Sequence, residues 1–183
     1  MLEPACLHRA AIADLYARAL MQPASRFYQL ASWRTWVAEI EDTDWSCIQR
    51  VSVAGDQVCG LLGARIDRDV RAVSSLEAVA FRGEGQASGL LFSRDLMRFL
   101  VGLVLDHGFM RVGWSVVLGN PAERLYDRVL PRLGGRVVGV MRQNIRLPDG
   151  SVTGQKFYEV LPHEWTHEQY VELRRLTAKR ECM

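Results

Sequence analysis

The sequence predicts an α+β fold: a mixed, mostly antiparallel central sheet flanked by helices, with an extra helix at the C-terminal end. Three observations predict it. Apolar residues recur with helical spacing in some segments and alternate in others, and the two kinds come in blocks rather than in strict turn. Turn-forming clusters join several of the strand-like segments directly, as hairpins require. Of the 183 residues 49 % are apolar and 24 % charged, an ordinary globular composition for a chain able to bury one core.

The first element is a helix around Ala11 to Leu20, where Ile12, Leu15, Tyr16, Ala19 and Leu20 share one face and Pro23 stops the run. Trp33 to about Ile40 reads as a second helix capped by Ser32, with Trp33, Trp36, Val37 and Ile40 in a stripe. Strands follow at Trp45–Val53 and Gln57–Ile66, joined by Ala54-Gly55-Asp56, and at Ala72–Phe81 after the charged turn Asp67-Arg68-Asp69. The polar, glycine-bearing stretch Arg82-Gly83-Glu84-Gly85-Gln86-Ala87 then leads into a long helix ending near Asp106-His107-Gly108. From Arg94 onward that helix has a wide apolar face, so it should lie largely buried on a sheet.

Arg111 to Leu118 alternates, with Val112, Trp114, Val116 and Leu118 on one face. The next helix is well punctuated: Asn120 as cap, Pro121 in the first position, Glu123 completing a capping-box pattern. Ala122, Leu125, Tyr126, Val129, Leu130 and Leu133 form its stripe; Pro131 should kink or end it, and Gly134-Gly135 closes it. Arg136–Leu147 and Val152–Leu161 pair about Pro148-Asp149-Gly150. Residues 1–165 thus make one domain, and 166–183 a mixed, exposed helical tail capped by Thr166 with Gln169.

The formal net charge of +2 gives no case for nucleic-acid binding, although the cations are nearly all arginine, with Lys156 and Lys179 the only lysines. Cys6, Cys47, Cys59 and Cys182 lack zinc-ligand spacing and read as reduced thiols of a cytoplasmic protein. No charged-then-apolar leader is visible, and the apolar run Leu96–Leu105, broken by Arg98, is too short to span a bilayer, so no membrane partner is expected.

From about Trp45 to Trp165 this order resembles the GCN5-related N-acetyltransferase superfamily. Gly119-Asn120-Pro121-Ala122-Glu123-Arg124-Leu125-Tyr126, then Gly134-Gly135 and Val138-Gly139, is similar to the family's N-P-A-x-x-L-Y … G-F-x-x-V-G signature. Leu147-Pro148-Asp149-Gly150 with Tyr158 to Trp165 is similar to the final hairpin of its ribosomal-protein and amino-acid acetyltransferase branches. Arg82 to Ala87 fits the family's pyrophosphate cradle, [RQ]-x-x-G-x-[GA]; glycines let the backbone approach, and successive N–H groups with a helix N-terminus hold phosphates. The distance from Arg82 to Gly108-Phe109 is longer than the family's, and its usual spacing would put the cradle near Ser88–Ser93, where Gly89 is the matching glycine. A loop insertion, an early helix start and a chance match all remain open.

The resemblance implies acetyl-CoA as co-substrate, no metal, and direct attack of an amine on the thioester. It makes Tyr126 the acid that protonates the leaving thiolate, although Tyr126 also lies on the apolar stripe and could be core. Glu77 is the candidate base, since strand alternation sets it beside Val73, Ser75, Val79 and Phe81; a surface-facing glutamate is the other reading. His107 reads as a C-terminal helix cap, where a cation is favoured. Cofactor contacts would come from Arg82, Gly83, Gly85, Gln86 and Ala87, from the backbones of Val79 and Phe81, and from Asn120, whose capping role alone would explain it. Trp33, Trp36, Phe27 and Tyr28 would shape the acceptor pocket or simply pack. The implied function is acyl-CoA-dependent N-acyl transfer to a small-molecule or protein amine. The alternative is an inactive acetyltransferase-fold protein with a structural, assembly or regulatory role, which the cradle spacing, Pro131 and the lack of an unambiguous base would favour. Homo-oligomerisation or docking through the C-terminal helix is possible on either reading.

Overall fold

A computed structural model describes residues 1–21, 27, 40–81 and 87–178. Seven strands form one sheet in the order β1-β2-β3-β4-β5-β7-β6. They are β1 (Leu2–Pro4), β2 (Cys47–Ala54), β3 (Gln57–Asp67), β4 (Ala72–Ala80), β5 (Arg111–Val117), β6 (Gly135–Arg146) and β7 (Val152–Val160). Every neighbouring pair is antiparallel except β4 and β5. The helices are α1 (Arg9–Leu20), α2 (Ala87–Leu105), α3 (Ala122–Val129) and α4 (His167–Ala178). The expected helix at Trp33–Ile40, apart from Ile40 itself, lies outside the described residues, as do Trp33, Trp36 and Tyr28.

β2 and β3 are buried on both faces, and their alternating side chains feed two apolar clusters. Ile48, Leu62 and Ala64 pack with Phe92, Leu96, Phe99 and Leu103 of α2, while Val51, Leu61, Val79 and Phe81 pack with Ala5 and Ile12 on the α1 side. A helix layer on each face is what lets a strand carry apolar residues in both directions. At Gly60 α2 comes close to the sheet: a side chain there would begin 2.3 Å from the Phe92 ring and 2.6 Å from the Val79 carbonyl oxygen. Asp95, 1 % exposed, accepts the Ser52 hydroxyl hydrogen bond at 2.8 Å and ties the same helix to β2.

Several local expectations shift. β1 is too short to show a period and exists because Leu2 pairs with Ser52. A 3-10 turn over Ala5–His8 leads into α1, which begins at Arg9 rather than Ala11. The α3 helix begins at Ala122, one residue later than the motif suggests, although Pro121 already has helical dihedrals (φ −53°, ψ −26°). Asn120 Oδ1 accepts the Ala122 N–H at 2.9 Å, and Glu123 reaches past the expected box to the Gly119 N–H at 3.3 Å. Pro131 ends the α-helix by tightening Leu130–Leu133 into a 3-10 turn, which Gly134 closes at φ 58°.

At the C-terminal end the Thr166–Gln169 capping box forms in both directions, at 3.0 and 3.2 Å. The helix it starts is not simply exposed: Leu173 is 2 % exposed and joins the α2-side cluster. A single buried leucine among the described side chains of a mostly polar helix is hard to see from periodicity. Among the described residues no helix is long and apolar enough to cross a membrane.

Candidate active site

The site begins with a failure of the sheet. β4 and β5 run parallel, and they pair only at Ala72 with Arg111 and Val73 with Val112. β4 continues to Ala80 and β5 to Val117, so the two strands part and leave a gap in the middle of the sheet. Backbone groups along such a gap lack ladder partners, which a buried chain must otherwise satisfy.

Which groups face the gap follows from alternation. The Phe81 N–H donates to the Cys59 carbonyl at 2.8 Å, so Phe81 and, two residues back, Val79 turn their backbone groups towards β3. Ala78 and Ala80 therefore face the gap, which corrects the expectation that Val79 and Phe81 supply the cofactor's backbone contacts. The side chains of Val79 and Phe81 are buried in the α1-side cluster instead. On the other strand the Leu118 N–H donates to Gly154 O at 2.9 Å, which leaves the backbones of Ser115 and Val117 facing the gap.

Arg82, Gly83, Gly85 and Gln86 lie outside the described residues. Ala87 opens α2, so of the spacing alternatives the early helix start is one the structure contains, and the helix runs for 19 residues. Ser88–Ser93 are inside it, so the cradle cannot be placed there, and the first-turn N–H groups, which have no partner within a helix, directly follow the Arg82–Gln86 segment.

Glu77 and Tyr126 lie on opposite faces of the sheet, Glu77 on β4 at one side of the gap and Tyr126 over β5 and β7. Glu77 shares a cross-strand row with Gln49 and Gly63, on the face of Val51, Leu61 and Val79. It is half-buried, and its Oε2 is shielded from solvent, which removes the surface-facing reading. The Cys47 thiol is pushed up to about 12, first by burial and then by the nearby Glu77 charge, so it is held as an inert thiol. Val73, expected beside Glu77, faces the α2 cluster, because the register shifts between Arg65 and Ile66.

Tyr126 is 5 % exposed and packs against Trp114 (ring centroids 5.4 Å) and Tyr158 (5.5 Å) on the α2 side. Burial alone pushes its phenol well above the usual tyrosine range, so it stays protonated at neutral pH. The Trp114 indole N–H is buried with no acceptor among the described residues. Asn120 sits just past β5 with its Oδ1 engaged as the α3 cap, and Phe27 comes within 3.9 Å of where a Gly119 side chain would start. His107 does not act as a cationic cap: burial, only partly offset by Asp44, lowers its pKa and keeps the ring neutral. No group of three or more metal-ligating side chains that could hold a metal ion occurs among the described residues.

No protein-family model matches the sequence, and no curated protein matches it. Solved structures do. A GCN5-related N-acetyltransferase from Brucella melitensis superposes with a TM-score of 0.64 at 19 % identity, over 97 % of this chain and 82 % of that one. The chain has the GCN5-related N-acetyltransferase fold. In that fold class it is also similar to a spermidine N-acetyltransferase chimera from Vibrio cholerae and hSSAT, with a TM-score of 0.65 at 18 % identity over 90 % and 97 % of the two chains. A single-substitution mutant of spermidine N-acetyltransferase from Vibrio cholerae follows at 0.61 and 16 %, over 86 % and 95 %. What the acetyltransferase fold leaves to this chain's own residues is the polar furniture beside the gap. Ser115 at the edge of the gap, with Gln155 and Asn144 on the next two strands, escaped sequence reasoning, because a serine in an alternating strand and two carboxamides in a hairpin carry no motif.

Proposed function

We propose that the chain is an acyl-CoA-dependent N-acyltransferase that moves an acetyl group from acetyl-CoA to an amine by direct attack. The observation that carries the reading is the β4–β5 gap, opened between unpaired backbone edges and flanked by a carboxylate on one face and a buried tyrosine on the other. The edges of Ala78, Ala80, Ser115 and Val117 suit an extended amide-bearing arm, which would take the place of the missing strand ladder. The buried Trp114 N–H fits the same arm, since a buried donor without an acceptor is costly until a ligand supplies one. Phosphates would lie on the Arg82–Gln86 segment and the start of α2.

In the reaction the amine nitrogen attacks the thioester carbonyl carbon, the C–S bond breaks, and an amide and a thiol leave. Glu77, directly or through water, accepts the proton that the amine loses. Tyr126 donates its proton to the departing sulfur. Its raised pKa suits that order, because the dry surroundings that hold the phenol protonated also make a thiolate more basic. Acid and base on opposite faces keep the two proton transfers from short-circuiting each other. An amine acceptor goes with the Vibrio cholerae neighbour, which is named for spermidine. Free thiols at Cys6, Cys47 and Cys59 go with a cytoplasmic setting.

A non-catalytic binding protein is the second reading, and the aromatic packing of Tyr126 favours it. Calorimetric titration with acetyl-CoA separates the two: no heat of binding at millimolar ligand sinks the enzyme reading. Binding with no turnover on any amine favours the second.

A further inference from the structure

On the α1-side face, on the other side of the gap from Glu77, the C-terminal strands carry a connected polar row. Asn144 Nδ2 donates to Gln155 Oε1 at 2.9 Å, and Gln155 Nε2 donates to Ser115 Oγ at 3.3 Å. The row runs from β6 through β7 to the lip of the gap on β5. It depends on an irregularity in β6: Met141 pairs with Gln155 and Ile145 with Thr153, so three β6 residues stand opposite Gly154 alone. Gln143, in the middle, takes φ 53°, a conformation costly for any residue but glycine. Gly154 is obligatory beneath it, since a side chain there would begin 2.4 Å from the Met141 carbonyl oxygen. The irregularity brings the Asn144 carboxamide against Gln155.

Beside the row lies an open apolar shelf. Phe157 is half-buried, and directly opposite it on β6 is Gly139, where a side chain would meet nothing within 4 Å. Met141, 55 % exposed, extends the shelf next to Gln155.

We infer that this shelf is the acceptor subsite, and that it selects an amine carrying an uncharged amide next to an apolar group. The inference rests on the acyltransferase reading for the position of the reacting centre. Its chemistry comes from what the row leaves open. Ser115 accepts from Gln155 and keeps its own proton to donate, while Asn144 donates to Gln155 and keeps its Oδ1 to accept. Ser115 offers the donor at the lip of the gap and Asn144 the acceptor at the far end of the row, so an amide's C=O would be met at Ser115 and its N–H along the row beyond, over an apolar floor. The charges on this face argue against a polyamine. Glu77 is placed for the reacting amine, and Glu159 is held by Arg136 at 2.8 Å and Arg111 at 3.3 Å. The described strand residues around the shelf offer no further carboxylate to a second ammonium.

The test compares phenylalaninamide with phenethylamine, which has the same ring and amine without the amide, and with spermidine and free phenylalanine. The expected order puts phenylalaninamide first, with kcat/KM about tenfold above phenethylamine, the worth of roughly one good hydrogen bond. Asn144→Ala and Gln155→Leu should each collapse that ratio towards one. Gly139→Leu should fill the shelf and raise KM for the amide several-fold, with KM for acetyl-CoA unchanged. Adding the tripeptide Phe-Gly-Gly separates two sources of the same chemistry: preference for it points to a peptide N-terminus, preference for the amide to a small molecule. Spermidine or free phenylalanine as the better acceptor overturns the inference, as does a ratio untouched in both row variants. Equilibrium binding of phenylalaninamide, followed by ligand-observed NMR, keeps the two proposals distinguishable. Amide binding that the row variants abolish, without any acetyl-CoA binding, sinks the enzyme and leaves the subsite standing.

Discussion

Replacing Gly60 with alanine should loosen the helix that opens the candidate cofactor site. The new Cβ would start 2.3 Å from Cδ2 and Cε2 of Phe92 and 2.6 Å from the Val79 carbonyl oxygen. Carbon atoms in contact sit roughly 3.5–4.0 Å apart, so the ring must retreat by about 1 Å or more. It has little room, being 7 % exposed and packed in the α2-side cluster. The carbonyl cannot retreat without disturbing the Leu61–Val79 pairing. Overpacking of this kind costs about 1–3 kcal/mol, and the stiffer unfolded chain returns about 0.4–1 kcal/mol. The net is up to about 2.6 kcal/mol and centred on about 1.3 kcal/mol, which for a domain of this size lowers Tm by about 3–5 °C at the centre of that range. Because Phe92 lies near the start of α2, acetyl-CoA affinity should fall as well. Thermal unfolding and calorimetry on the same samples measure both, and Phe92→Leu in the Gly60→Ala background should recover part of each loss. A Gly60→Ala protein with unchanged Tm and unchanged affinity would refute the close approach and the positioning argument built on it.

Tyr126→Phe should lower kcat by about 100-fold or more while leaving acetyl-CoA affinity and Tm nearly unchanged, since the ring packing is kept and only the proton donor goes. Glu77→Gln should lower kcat likewise and make the loss smaller at higher pH, where more of the amine is already deprotonated; steady-state kinetics across pH checks both. His107 has a folded pKa below its unfolded one, so its contribution to stability is intact above about pH 6.5 and is lost as pH falls through the folded value. Melting curves between pH 7.5 and 5 should therefore fall more steeply for the native chain than for His107→Gln. Leu173→Ala should cost about 2–4 kcal/mol, read as a lower denaturant midpoint, although it lies in a helix that looks like a solvated tail.

The amino-acid sequence by itself determined the kinds and order of nearly all the described elements. Alternation at Arg111–Val117 and the cap at Asn120 are local signals, and local chemistry suffices to make them. The capping box at Thr166 and Gln169 formed as written for the same reason. Tertiary structure decided what depends on residues far apart in the chain. Whether β4 and β5 pair or part is a property of neither strand alone, so the gap carries no sequence signal. A register shift at Arg65–Ile66 turned Val73 to the opposite face, since one extra residue inverts every side chain beyond it. The pairing of Phe81 with Cys59 on β3, also a matter of tertiary register, turned the backbones of Ala78 and Ala80 rather than those of Val79 and Phe81 towards the gap. Leu173 became core only because α2 lay beneath it. The Ser115–Gln155–Asn144 row joins strands that are adjacent in the sheet but, for Ser115, 40 residues apart in sequence from Gln155. Periodicity can name a strand's two faces, but only the assembled sheet decides what each face meets.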